Sequence, residues 1–220
     1  MTNSLAVNSL AIQIEVPIAC FRQSHAREYA ETYPVPPPST VYGMLLSMIG
    51  ETDRYKHCGV ELAIALLSEP EKSTVIRTFR RFKKKDIHDP TNARPDYQEL
   101  LTNTEFIVWV KPGTDAAKPN LLERLQHAFN HPEMIDRFGG LSLGESRDLV
   151  NSVQLWSGSF NKQPRCLVQD EDGTLALPYW VDHVGSQGTR WRRYLLREQT
   201  QTQPPEQAWT VIQPKYATNG

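Results

Sequence analysis

Ser39, Thr40, Tyr42 and Gly43 stand directly behind a stiff run that contains Pro34, Pro36, Pro37 and Pro38. Two hydroxyls at the start of a helix, beside its free backbone N–H groups and partial positive charge, suit the binding of a phosphate. Tyr42 could stack on a splayed base, a common device in single-stranded RNA recognition, and Gly43 could admit a close approach of the chain. The alternative is that Tyr42 is a core ring and Gly43 a packing contact. A second candidate is FGGLSLGESRDLV, in which Gly140, Ser142, Gly144, Ser146 and Arg147 could surround a bent RNA backbone or simply form a bulge beside a strand. It lacks the lysine of a P-loop and opens no helix after a strand, so nucleotide binding is unsupported. A third is STVIRTFRRFKKKDIHDP, where six of the nine residues from Arg77 to Lys85 are basic, with Phe79 and Phe82 among them. Aromatics interleaved with that excess charge point to nucleic acid; a solvated face is the alternative.

Other chemistries find less support. Six histidines are scattered without the paired spacing of a metal site or a catalytic dyad, and a lone loop histidine such as His25 binds or sits in solvent. Three cysteines, Cys20, Cys58 and Cys166, are an odd number without CxxC spacing, so neither a disulfide framework nor a zinc site is indicated. No metal, cofactor or catalytic residue is therefore assigned. A net charge of −1 means that any nucleic acid is held by a local basic patch rather than a basic whole. No apolar run approaches the roughly 18 residues of a membrane span, and Met1 to Leu10 lacks the pattern of a signal peptide. A cytoplasmic protein with no membrane partner is expected.

The 220 residues allow one large domain or two small ones. Ile12, Ile14, Val16, Ile18 and Cys20 alternate as a half-buried strand. A polar loop with Arg22, Gln23, Ser24, His25 and Arg27 follows, and the prolines hold its end extended. Ser39 or Thr40 is expected to cap a helix whose apolar stripe is Val41, Leu45, Met48 and Ile49, with Gly50 at its stop. Val60, Leu62, Ile64 and Leu66 read as a second strand. The basic run then predicts a long hairpin or protruding arm, at about 73–103, that returns through Asp86–Leu101 into a strand over Thr104–Val110. On such an arm Arg77, Arg81, Lys83 and Lys85 share one face, and Arg80, Phe82 and Lys84 the other. Asn120 and Glu123 form a capping-box pattern for a helix with Leu121, Leu125 and Phe129 on its apolar face. Val153, Leu155 and Trp156 suggest a further strand.

This order, βαβ, arm, βαβ, predicts an α+β ferredoxin-like, RNA-recognition-type domain over residues 1–156. Residues 157–220 are expected to form a small β-rich annex and tail. There RCLVQDEDGTLALPYWV predicts a hairpin around Asp172 and Gly173, and GTRWRRYLLRE is a second basic segment with aromatics. TQTQPPEQAWTVIQPKYATNG is expected to add little to the core.

Over roughly Leu10 to Trp156 the first strand, PPPSTVYGMLLSMIGE, the basic arm and GGLSLGESRDLV together resemble the Cas-five family of CRISPR-associated proteins, within the RAMP superfamily. The sequence looks most like the DevS-like branch of type I systems. The resemblance implies a non-catalytic subunit of the Cascade ribonucleoprotein that grips the 5′ handle of the CRISPR RNA and caps one end of the complex in antiviral defence. It implies contacts with the Cas-seven backbone and the large subunit, and an arm near target DNA at the PAM-proximal end. RNA contacts would fall on Arg22, His25, Arg27, Ser39, Thr40, Tyr42, Gly43, Gly140, Ser142, Gly144, Ser146 and Arg147. Nucleic-acid contacts of the arm would fall on Arg77, Phe79, Arg80, Arg81, Lys83, Lys84 and Lys85. Some relatives cleave precursor RNA without metal, which would cast His25, Tyr42 and Lys83 as acid-base groups. An RNA-recognition-like module outside CRISPR is the other alternative.

Overall fold

Ile12, Ile14 and Val16 are fully buried on one face of β1 (Leu10–Ala19), as their alternation predicts, but the alternation breaks after Val16: Ile18, expected on the same face, is 50% exposed and Ala19 is buried instead. The computed structural model describes residues 9–26, 29–80, 84–159, 163–182 and 188–214, with the backbone alone at 78–80 and 94. After β1 come the short β2 (Tyr29–Ala30), α1 (Pro38–Met48) and β3 (Glu61–Leu66). The arm is β4 (Glu71–Arg80) paired antiparallel with the outer half of β5 (Ala93–Lys111), whose inner half holds the predicted Thr104–Val110 segment. Then follow α2 (Leu121–Asn130), β6 (Ser152–Leu155), β7 (Arg165–Gln169), β8 (Leu175–Trp180), β9 (Arg190–Glu198) and β10 (Thr210–Val211).

Among the described residues the ten strands join one mostly antiparallel sheet ordered β6-β1-β5-β3-β7-β9-β8, with β4 and β2 on β5 and β10 on β3. Both helices lie on one face, where Val41, Leu45, Leu121 and Leu125 meet Ile12, Ile14, Leu62 and Ile64. The other face carries a second cluster, in which Ala63, Ala65, Ile107 and Trp109 meet Ala208 and Trp209. Alanines between the larger residues of β3 therefore mark a strand buried on both faces.

The helix termini are set differently from each other. The capping box of α2 forms as expected: the Asn120 side chain accepts from Glu123 N–H and the Glu123 carboxylate accepts from Asn120 N–H, both at 2.9 Å. Neither Ser39 nor Thr40 caps α1. Its N-cap is Pro37, at φ −64° and ψ 144°, and Pro38 occupies the first turn, because proline's fixed φ suits that place and its missing N–H is not needed there. Gly50 follows the last turn at φ +67°, the left-handed conformation that glycine adopts freely.

The C-terminal third departs most from expectation. β7 and β8 do not form a hairpin: both pair with β9, which lies between them. Asp170 to Gly173 do turn, with Gly173 N–H donating to Asp170 O at 3.0 Å, but the turn carries the chain across β9. A Cβ on Gly173 would lie 2.6 Å from both N and O of Tyr194, so only glycine fits beneath the crossing. The β-rich region is continuous with the rest of the sheet and core: β7 pairs with β3, and Leu167, Leu177, Tyr179, Trp180 and Tyr194 share the core with both helices. The tail is structural as well. Ala208, Trp209 and Ile212 are buried, and β10 pairs with β3 through Thr210↔Leu62 and Val211↔Glu61.

Candidate nucleic-acid interface

The lead-in to α1 is fixed by its surroundings. Val35, Pro36, Pro37 and Pro38 are buried while Pro34 is exposed, and Tyr33 N–H donates to Phe21 O at 2.8 Å across the base of the loop. This places Ser39 and Thr40 on a cleft of about 300 Å³ together with Arg22, Gly144 and Trp191. A neighbouring cleft of about 370 Å³ shares Ser39, Thr40 and Gly144 with it and adds Gly43, Ser142 and Arg54. The structure thus brings Arg22, Ser39, Thr40, Gly43, Ser142 and Gly144 to one surface from three separate stretches of chain.

The donors at this surface are fewer than a bare helix start offers. Thr40 and Val41 N–H both donate to Pro37 O, at 2.9 and 3.1 Å, and Pro38 has no N–H to give. Ser39 is 3% exposed, and its Oγ has no hydrogen-bond partner. Tyr42 is a core ring: it is fully buried, its hydroxyl donates to Arg54 O at 2.8 Å, and it packs beside Trp180 with ring centroids 6.4 Å apart. Base stacking by Tyr42 is therefore ruled out in this fold, and burial also holds its hydroxyl in the protonated form.

The glycine turn is latched onto the end of β1. The buried Asp148 Oδ2 accepts from Cys20 N–H and from Glu145 N–H, both at 2.8 Å. Burial holds this carboxyl above the usual aspartate range, against the pull of those two bonds. Gly144, at φ +110°, passes so near that a Cβ there would lie 2.8 Å from both Asp148 Oδ2 and Cys20 O. Arg147 pairs with Glu145 at 2.8 Å and donates to Gln98 Oε1, and Arg77 of the arm reaches the same two partners. Two arginines assigned to different sites thus join the turn to the base of the arm. Gly140 and Ser146 are exposed and line neither cleft.

His25 is exposed and lies 3.5 Å from Glu31. In the arm, β4 ends at Arg80, so strand alternation does not extend to Lys84 and Lys85, which sit in the tip. Lys84 pairs with Asp89 at 3.2 Å, and Lys85 is exposed. Arg27, Arg81, Phe82 and Lys83, and the side chains of Phe79 and Arg80, lie outside the described residues.

Sequence reasoning missed Trp191 and Arg54. Trp191 is 41% exposed at the rim of the first cleft; its signal was an aromatic inside the second basic segment. Arg54 is half-buried, with its guanidinium 5.5 Å from the Tyr42 ring and 5.2 Å from the Trp180 ring, and nothing local distinguished it.

Among the described residues no helix is long and apolar enough to cross a membrane, and no group of three or more His, Cys, Asp or Glu side chains could hold a metal ion. The family model described as CRISPR-associated protein (Cas_Cas5) matches residues 9–207. The CRISPR-associated protein Cas5 of Myxococcus xanthus (strain DK1622) is 40% identical over 193 residues, 86% of this chain and 90% of that protein. Among solved structures, a chain of a CRISPR RNA-guided surveillance complex superposes with a TM-score of 0.59 at 14% identity, covering 86% of this chain and 89% of that one. With a family match across nearly all of its described length, this chain belongs to the Cas5 family of CRISPR-associated proteins.

Proposed function

We propose that this protein is the handle-binding subunit of a type I CRISPR effector complex of the DevS-like branch. It holds the 5′ handle of the CRISPR RNA in the cleft between α1, the glycine turn and β9, and it binds without cutting. One observation carries the reading: Arg22, Ser39, Thr40, Ser142 and Gly144, singled out from separate segments as RNA-contacting types, line adjoining clefts in a Cas5-family chain. The order β6-β1-β5-β3, with both helices on one face, supports a ferredoxin-like, RNA-recognition-type domain over the first 156 residues. Capping one end of the complex, contact with the Cas-seven backbone and large subunit, and an arm directed at target DNA near the PAM-proximal end complete the proposal. Binding without cleavage is supported by the burial of Tyr42, which removes one of the candidate acid-base groups.

The test is to co-purify the tagged protein from its operon, sequence any bound RNA, and incubate the pure protein with labelled repeat RNA. Handle-containing RNA, bound intact, is expected. Absence of repeat-derived RNA would sink the handle reading, whereas site-specific cleavage lost on changing His25 would replace it with the nuclease alternative.

A further inference from the structure

We propose that Arg54 is an anion anchor, which together with Ser39 holds one phosphate of a bound RNA in the cleft between α1 and the glycine turn. The proposal rests on the RNA-binding reading above and names the residue that supplies its charge. Arg54 Nη2 donates to Ser39 O at 3.1 Å, which ties the guanidinium to the first turn of α1. The Tyr42 and Trp180 rings lie 5.5 and 5.2 Å from the guanidinium carbon, so these contacts and the bond to Ser39 O order this long side chain before a ligand arrives. Among the described residues no carboxylate forms an ion pair with Arg54, and its buried Nε–H has no partner. Burial pulls its pKa down, as expected for a cation desolvated without a counter-charge.

An unpaired cation of this kind is costly. Here it lies beside a second uncommitted donor, the hydroxyl of Ser39, buried to 3% exposure on the same cleft. The Arg54 Nε–H, on a guanidinium whose Nη2 is already fixed by Ser39 O, and the Ser39 hydroxyl, both without acceptors, match a tetrahedral oxyanion with several lone pairs. The partial positive charge at the start of an 11-residue helix adds to the attraction. The cleft is open along the α1 face past Gly43 and Ser47, so the phosphate of a continuing strand fits as well as a free ion.

The experiment uses the full chain with two changes, Arg54→Met and Ser39→Ala. Repeat-derived single-stranded RNA is titrated over a series of salt concentrations, and melting is followed with and without inorganic phosphate. Arg54→Met keeps a long apolar group between the rings, and is expected to weaken RNA binding about tenfold or more. It should also lower the magnitude of the log-affinity against log-salt slope by about 0.7, the share of one single-strand phosphate. Ser39→Ala is expected to weaken RNA binding while leaving the melting temperature of the free protein unchanged or higher, because the hydroxyl it removes satisfies nothing in the protein. An Arg54-dependent rise in melting temperature with inorganic phosphate extends the site to free anions; an effect on RNA alone confines it to the backbone of a strand. Both support the anchor. If Arg54→Met does not fold, Ser39→Ala decides by the same pair of readouts. Unchanged affinity and salt slope in the folded variants would overturn the anchor but leave RNA binding standing. Failure of the unaltered protein to bind the RNA would overturn the parent reading, and the anchor then falls as well if inorganic phosphate gives no Arg54-dependent stabilisation.

Discussion

Replacing Asp148 with alanine tests whether the glycine turn is a built element or an incidental bulge. The change deletes the acceptor for two N–H groups, the buried Cys20 at the end of β1 and the part-buried Glu145 in the turn, each bonded at 2.8 Å. A hydrogen bond to a charged group contributes about 1.5 to 3 kcal/mol. Burial of the carboxylate works against the pair, as its raised pKa records, so the expected net loss is about 2 to 4 kcal/mol. Asp148→Asn keeps an oxygen acceptor without the buried charge and is expected to cost about 1 kcal/mol or less. Because the folded protein binds this proton more tightly than the unfolded chain, its contribution to stability is full below the ordinary aspartate pKa of 3.8. It is lost as pH rises through the folded value, and the Asn variant abolishes that dependence. Urea unfolding gives the energies, and hydrogen exchange reads the two amides individually. An alanine variant within about 0.5 kcal/mol of the parent, with Cys20 N–H still protected, would refute the latch.

Three further outcomes are expected. Trp191→Ala should weaken RNA binding by about 1 to 3 kcal/mol, the range for one base stacked on an aromatic, with little change in melting temperature; equal affinity would leave Trp191 a mere rim residue. Gly173→Ala should destabilise by about 3 kcal/mol or more, since the new methyl meets backbone rather than a movable side chain, and a normal melting curve would disprove the close crossing over Tyr194. For Glu51, burial favours the neutral form, but bonds from Lys56, the Asp53 amide and Arg124 hold its pKa at about 2 against an ordinary 4.5. Its contribution is therefore present above pH 4.5 and lost as pH falls toward 2. Glu51→Gln should flatten stability against pH in that window, and an unaltered acid-unfolding curve would contradict the assignment.

The parts legible in the sequence are those whose signal and cause are both local. Alternating residues in β1 and the Asn120–Glu123 pair specify a buried face and a capped terminus within a few positions. The strand crossing at Gly173 was illegible because Asp-Gly asks only for a tight turn, whether the next strand pairs with the previous one or passes over a third. That third strand, β9, begins at Arg190, well beyond the turn. Trp209 and Ile212 sit in a polar tail with no period to betray them; Trp209 is buried against the small side chains of Ala63 and Ala65, far away in the chain, and Ile212 in the main core on the other face of the sheet. At the site, residue types alone could nominate Ser39 and Tyr42 but could not separate them. Pro37 and Pro38 shift the helix start so that Ser39 lies inside its first turn at the wall of the cleft, while the larger Tyr42, three residues on, reaches the core beside Trp180.

The insertion of β9 between two strands made earlier has a consequence for biosynthesis. A ribosome delivers β6, β1, β5 and β3 first, and these can pair among themselves. β3 then remains the outer strand of a growing sheet, its free side awaiting β7 and β10. β7 and β8 have no strand between them until Glu198 has emerged, and the flank of β3 at Glu61 and Leu62 stays unpaired until Val211 follows. A nascent chain stalled between Trp156 and the last strand therefore presents an apolar strand with open hydrogen-bonding groups, the form of chain most prone to pair with a neighbour on the same polysome.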